Sequence, residues 1–174
     1  MIDQKFMFPR VPVAVVDIGD TLEALLIRSM LESLGAVVTL HLPGTPGDFL
    51  TLLAGGDLVH QYLAICGHGD ESGFVFGEYC EGIDTSMLVD GSLPPSVVAE
   101  HARLGGKIVL STCCETGGKA YGDAFVGGGW RSPLCRPRWF ARRGRCAALR
   151  ALLLSRASRA QAAARGGTGA RPLL

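Results

Sequence analysis

The alternation of short apolar runs with helix-like segments is the feature that most restricts how this chain can fold. Four runs, "VPVAVVDIG", "AVVTLHL", "YLAIC" and "KIVLSTCC", are strand-like, being short and rich in β-branched and other apolar residues. Between them lie "DTLEALLIRSMLESLG", "DFLTLLAGG" and "PPSVVAEHARLGG", which carry helical spacing or helix-terminating residues. Strands that are apolar throughout are typical of a parallel sheet covered on both faces. The sequence therefore predicts an α/β fold with a mainly parallel sheet.

The charged residues divide the chain into two parts. Residues 1–126 hold 6 Lys and Arg against 16 Asp and Glu, whereas residues 127–174 hold 11 Arg and no acid. We predict an α/β domain over 1–126 and a basic Arg/Ala/Gly-rich tail of doubtful fold over 127–174. Because Lys and Arg can both neutralise a phosphate, an Arg-only alphabet is unusual for a nucleic-acid-binding arm. One hypothesis is that the tail is read out of frame from GC-rich sequence, and the alternative is a genuine basic arm.

Composition also bounds the compartment and the partners. No apolar stretch approaches the roughly 18 residues that a bilayer span needs, and the N-terminus lacks the order of a signal peptide. The six cysteines form no dense framework, which favours free thiols in a reducing compartment. We therefore expect a cytoplasmic protein without a membrane partner, in which only the basic tail could contact nucleic acid.

Reactive side chains follow two of the predicted strands. His68 comes after "YLAIC" within "GHG", and Cys113 and Cys114 come after "KIVLST". Because ligands of open α/β sheets bind beyond the carboxyl ends of the strands, we expect these residues at one edge of the sheet. A cysteine and a histidine placed there suit acyl transfer, with the N–H groups of Gly69 and of the cysteine as an oxyanion hole. A helix beginning in "ETGGKAYGDAF" would favour the thiolate. No third catalytic residue can be identified from the sequence.

The same residues admit other interpretations. A cysteine after a buried strand is often only packed, and Cys66, His68, Cys113 and Cys114 together could bind zinc. Against zinc, no Cys-x-x-Cys spacing occurs, and adjacent cysteines on a strand should point to opposite sides. Cys80 and the acids of "GDESGFVFGEYCEGID" either line the site or form a solvated face.

Four further polar residues are given structural roles by their positions. Asp17, at the end of the first predicted strand, is a helix cap or a site-lining residue, and the cap is favoured. His41, His60 and His101 are expected on helix or strand surfaces.

Two motifs carry a resemblance to a known family. "LSTCCETGG" resembles the cysteine motif of the caspase-like peptidase clan, most of all its CHAT branch, and "YLAICGHGD" resembles the matching histidine motif. The resemblance covers about Pro9 to Gly129, and the separation of the two motifs suits the roughly 50 residues of caspase-type enzymes. It places the catalytic dyad on His68 and Cys114. The chain departs from the family in having a second cysteine, Cys113, at a usually small position, which leaves Cys113 open as the nucleophile.

The resemblance implies a three-layer αβα caspase-like fold and a cysteine endopeptidase that needs no cofactor or metal and acts on a peptide or protein. Family members continue with further strands, so the fold would be incomplete, and the enzyme inactive, if the tail does not supply them. The alternative is a non-catalytic caspase-like or flavodoxin-like module in binding or signalling.

Overall fold

A computed structural model gives the architecture for residues 10–55, 60–127 and 138–141. In chain order the elements are β1 (Pro12–Asp17), α1 (Thr21–Ser33), β2 (Val37–His41), α2 (Pro46–Ala54), β3 (Tyr62–Cys66), β4 (His68–Gly69), β5 (Phe74–Val75), β6 (Ser92–Leu93), α3 (Pro95–His101), β7 (Ile108–Ser111), α4 (Lys119–Gly127) and β8 (Arg138–Ala141).

Five of the strands form one parallel sheet in the order β2-β1-β3-β7-β8. The chain moves outward from β1 to β2 and then back across β1 to β3. Because such crossovers are right-handed, α1 covers one face of the sheet and α2 covers the other. The chain continues in the second direction through β7 and β8, which places α3 and α4 on the face of α2. The α/β prediction with a mainly parallel sheet is thus confirmed.

Local sequence fixes where the first two helices begin. The Asp20 side chain caps α1 by accepting the Glu23 N–H at 3.0 Å. Thr45 caps α2 by accepting the Asp48 N–H at 3.1 Å, and Pro46 occupies the first turn, where a missing N–H costs nothing. The chain therefore leaves β1 and β2 in defined directions.

The main core lies between the sheet and helices α2, α3 and α4. Its sheet side is made by alternate strand residues, among them Val16 and Ile65, which are both fully buried. Phe74 lies at the centre, with its ring centroid 5.7 Å from that of Phe49 and 6.3 Å from that of Phe125. The opposite face is covered by buried residues of α1, namely Ala24, Ile27 and Leu31.

A second, smaller sheet emerges between β3 and α3. It is antiparallel, in the order β4-β5-β6. The buried hydroxyl of Tyr121 on α4 accepts the Phe74 N–H at 3.0 Å and donates to the Leu93 carbonyl at 2.6 Å. The Tyr121 side chain thus joins β5 and β6 to α4 and the core.

The tail and the predicted domain boundary can be placed in part. The boundary between residues 126 and 127 falls in the last turn of α4, and β8, within the predicted tail, pairs in parallel with β7. The other tail residues lie outside the described part of the chain. Within that part, none of the helices combines the length and apolar character needed to cross a membrane.

Candidate functional site

The two motif segments leave the sheet side by side. Ile65 on β3 pairs with Ser111 on β7, and the Thr112 N–H extends this ladder by donating to the Ile65 carbonyl at 3.0 Å. Beyond this point, the backbone at Gly69 lies against the cysteine loop. A Cβ atom at Gly69 would collide with the Cys114 carbonyl oxygen and would lie 3.2 Å from the Cys113 Cβ. The "GHG" and "TCCETGG" segments therefore meet in direct contact at the carboxyl edge of the sheet.

His68 stands on a short hairpin that is firmly closed. Asp70 accepts the N–H groups of Ser72 and Gly73, both at 2.8 Å, and the hydroxyl of Ser92 at 2.8 Å. Burial tends to raise the pKa of Asp70, but these hydrogen bonds outweigh it and lower the pKa below its ordinary value. The His68 side chain is exposed on this closed hairpin.

The N–H of Gly69 is turned away from the small sheet. The Asp70 N–H donates to the Gly73 carbonyl at 2.9 Å, which makes that a hydrogen-bonded pair. Hydrogen-bonded and non-hydrogen-bonded pairs alternate in an antiparallel ladder, so Gly69 and Phe74 form a non-hydrogen-bonded pair. Accordingly, the Phe74 N–H bonds to Tyr121 instead. The Gly69 amide therefore does not bond β5.

The adjacent cysteines differ sharply in environment. Cys113 is buried with a relative exposure of 4%, whereas Cys114 is exposed. Burial raises the pKa of the Cys113 thiol to about 12, and the nearby Glu23 carboxylate adds to the effect. Cys113 is therefore a protonated, inaccessible thiol near neutral pH. Of the pair, only Cys114 is exposed.

A closed ring of hydrogen bonds holds the cysteine loop onto β7. The Cys113 N–H donates to the Ser111 hydroxyl at 3.2 Å, and the Thr116 hydroxyl donates to the Cys113 carbonyl at 2.9 Å. The two hydroxyl oxygens lie 2.9 Å apart. Because the proton of Thr116 is used on the carbonyl, Ser111 donates to Thr116 and the ring closes. All three residues are buried, so each polar group depends on this ring for its partner.

Glu23 is a site-edge residue that the sequence did not single out. It lies in the first turn of α1, where its carboxylate accepts the Thr112 hydroxyl at 3.0 Å. Thr112 precedes the two cysteines directly, so α1 contacts the base of the cysteine loop. The two residues are 89 positions apart in the chain, so local sequence patterns could not predict their contact.

Asp17 has a structural role at the start of α1, although the cap itself is Asp20. The Asp17 carboxylate accepts the N–H groups of Gly19 at 2.9 Å and Asp20 at 2.8 Å, and the Thr21 hydroxyl at 2.5 Å. These bonds hold the turn from β1 into α1, and Asp17 is 6% exposed. The Asp17 carboxylate therefore stabilises that turn.

The helix expected after the cysteines begins too far along the chain for its N-terminus to stabilise a thiolate at Cys114. α4 starts at Lys119, five residues after Cys114. The favourable effect of a helix N-terminus falls off within the first turn, so Cys114 is not in a position to use it. Instead, a tight turn follows Cys114, with Glu115 at a φ of +55° and the Thr116 N–H donating to the Cys114 carbonyl at 2.6 Å.

The two other cysteines within the described residues, Cys66 and Cys80, lie in different parts of the fold. Cys66 is fully buried at the end of β3, and burial, reinforced by Glu23, raises the pKa of its thiol well above the usual range. Cys80 is exposed in the segment between β5 and β6. Across residues 10–55, 60–127 and 138–141, no three His, Cys, Asp or Glu side chains are grouped to hold a metal ion.

The three other histidines differ from one another. His101 is exposed at the end of α3, and the ring of His60 hydrogen-bonds the Thr39 hydroxyl at 2.9 Å. His41, expected on a surface, is half-buried at the end of β2, and its buried Nε2 atom has no hydrogen-bond partner among the residues that the structure describes. Burial lowers the pKa of His41, and the nearby His60 adds to the effect.

Comparison with known proteins adds no family assignment. No family model matches the chain, and no curated protein matches it significantly. The function must therefore be inferred from the residues and their geometry.

Proposed function

We propose that this chain is a caspase-like cysteine peptidase domain, with Cys114 as the nucleophile and His68 as the general acid and base. The observation that carries the proposal is the contact of Gly69 with the Cys113–Cys114 loop. It brings the segments that carry two exposed residues, His68 and Cys114, into contact at the edge where α/β sheets bind ligands. Each is free to meet a substrate, since neither side chain makes a hydrogen bond among the described residues.

The chemistry is an acyl transfer in two halves. The Cys114 thiol gives its proton to His68 as its sulfur forms a bond to the scissile carbonyl carbon, the carbon–nitrogen bond breaks, and His68 delivers that proton to the departing amine. A water molecule then attacks the thioester while His68 accepts its proton. The carbon–sulfur bond breaks, a carboxylate leaves, and the thiol is restored.

Two backbone N–H groups stabilise the oxyanion in this mechanism. The Gly69 amide is turned away from β5, and the Cys114 amide belongs to the loop that contacts Gly69. Donors aimed at the developing charge contribute strongly to such catalysis, and each is worth about 100- to 1000-fold in rate. Gly69 and Cys114 are the two donors that the sequence predicts, and the proposal keeps them.

The decisive experiment compares the two adjacent cysteines as matched variants. The full chain is incubated with an unfolded protein such as casein, and new N-termini are identified by mass spectrometry. We expect Cys114→Ala and His68→Ala to lower cleavage by at least about 1000-fold, since residues of a catalytic unit fail together. Cys113→Ala should retain cleavage within about tenfold because its buried sulfur takes no part. Cleavage that survives Cys114→Ala, or no cleavage by the native chain, refutes the proposal.

A non-catalytic binding module is the second candidate. Two observations favour it: the sheet order β2-β1-β3-β7-β8 follows the 2-1-3-4-5 order of flavodoxin-like folds, and no described side chain orients His68. This candidate predicts that the native chain and Cys114→Ala behave alike in the casein assay. A Cys114-dependent set of new N-termini would exclude it.

A further inference from the structure

The hydrogen-bond ring around Cys113 has a consequence for the neighbouring peptide group. The Cys113 carbonyl, which accepts the Thr116 hydroxyl, belongs to the same peptide unit as the Cys114 N–H. A peptide unit is planar and trans, so its carbonyl and its N–H point in opposite directions. Fixing the carbonyl toward Thr116 therefore fixes the Cys114 N–H away from the buried ring.

We infer that Thr116 is a positioning residue, whose hydroxyl orients the Cys114 amide as an oxyanion donor. The inference rests on the proposed function, because it assigns Thr116 a role in that site. Thr116 itself is fully buried and touches no substrate. It acts through the peptide unit that it holds.

The Thr116 side chain also contacts β4, the strand that carries the second proposed donor, Gly69. Its Cγ2 methyl group would lie 2.9 Å from a Cβ atom at Gly69, which means that the methyl packs directly against the Gly69 backbone. One residue therefore bonds the cysteine loop through its hydroxyl and supports the histidine loop through its methyl. The relative placement of the Gly69 and Cys114 amides depends on both groups.

Removing the hydroxyl should release the peptide unit. In Thr116→Val, the Cys113 carbonyl would remain buried without its donor, a situation that proteins avoid. Rotation of the 113–114 peptide toward another donor would carry the Cys114 N–H out of place. The sulfur is attached beyond that peptide and would remain exposed.

The test compares two reactions of the same sulfur in the full chain. Acylation by p-nitrophenyl acetate forms a carbon–sulfur bond and expels p-nitrophenolate through an oxyanion, whereas alkylation by iodoacetamide displaces iodide at a saturated carbon and forms no oxyanion. Both adducts on Cys114 are counted by mass spectrometry. We expect Thr116→Val to lower the acylation rate by about 10- to 100-fold, a loss of donor alignment, while alkylation changes by less than about threefold.

Two matched variants separate positioning from stability. Thr116→Ser keeps the hydroxyl and should restore most of the acylation rate. Ser111→Ala breaks the ring at another point but leaves the bond between Thr116 and the Cys113 carbonyl, so its ratio of acylation to alkylation should stay near that of the native chain. Urea unfolding of all three confirms that each is folded under assay conditions.

Each outcome decides the matter. If the native ratio of acylation to alkylation at Cys114 is no higher than the ratio at the exposed Cys80, there is no functional oxyanion hole at Cys114. That result refutes both the proposed function and this inference. A high native ratio that persists in Thr116→Val overturns the inference alone. Equal losses of both reactions in Thr116→Val also overturn it, because the thiol rather than the amide would then have moved.

Discussion

At the scale of single residues, burial separates side chains that look alike in the sequence. Cys113 and Cys114 are neighbours in a motif that allows either to be the nucleophile, yet one is 4% exposed and the other is open to solvent. His41 and His101 are both predicted on surfaces, but the Nε2 of His41 is buried and has no hydrogen-bond partner within the described part of the chain. Such differences depend on what packs above a residue, which local sequence does not record.

The half-buried ring of His41 predicts a particular pH dependence of stability. Its pKa is lowered in the folded chain, so the unfolded chain binds the proton more strongly. Stability is then lost as pH falls through the window just below the usual value of about 6.5. We expect the urea midpoint of the native chain to drop between pH 7.5 and pH 5.5, and to drop less in His41→Phe, which keeps a ring but cannot titrate.

His101→Phe serves as the control for that measurement, because it makes the same substitution at an exposed histidine and leaves His41 in place. If His41→Phe and the native chain lose stability equally between the two pH values, His41 is not the responsible group. Asp70, whose pKa is also lowered, loses its contribution only as pH falls below the ordinary carboxylate range, outside this window.

At the scale of elements, the small sheet β4-β5-β6 depends on contacts from elsewhere in the chain. Its strands have two residues each, too few to be stable alone. The Tyr121 hydroxyl joins β5 and β6 to α4, and the Ser92 hydroxyl on β6 bonds Asp70 beside the histidine loop. The position of His68 therefore depends on α4 as well as on β3.

Tyr121→Phe should expose how much this anchor contributes. The substitution leaves the buried Phe74 N–H and Leu93 carbonyl without their partner, which typically costs about 1–3 kcal/mol of unfolding free energy. Urea denaturation measures the loss. Tyr79→Phe is the matched control, since the Tyr79 hydroxyl makes no hydrogen bond among the described residues, and it should change stability by less than about 0.5 kcal/mol. Equal losses for both variants would contradict the anchoring role.

At the scale of the whole molecule, the sequence predicts four strands and a mainly parallel sheet, because a strand pattern can be recognised in each short segment by itself. "VPVAVV", "VVTLH", "YLAIC" and "KIVLS" each carry their own strand pattern. Long-range pairs could not be predicted in the same way. Glu23 meets Thr112, and Thr116 packs on Gly69, only because the folded sheet brings distant segments together.

We propose that the His68 imidazole activates the Cys114 thiol where the two motif segments meet at the carboxyl edge of the sheet. The most direct measurement is the rate of iodoacetamide alkylation at pH 7, site by site, in the full chain. Cys80 is the internal standard, because it is also exposed and belongs to neither of the two motif segments. We predict that Cys114 reacts at least about tenfold faster than Cys80, and that His68→Gln removes most of this advantage. Equal rates at the two cysteines, unchanged by His68→Gln, would contradict the claim.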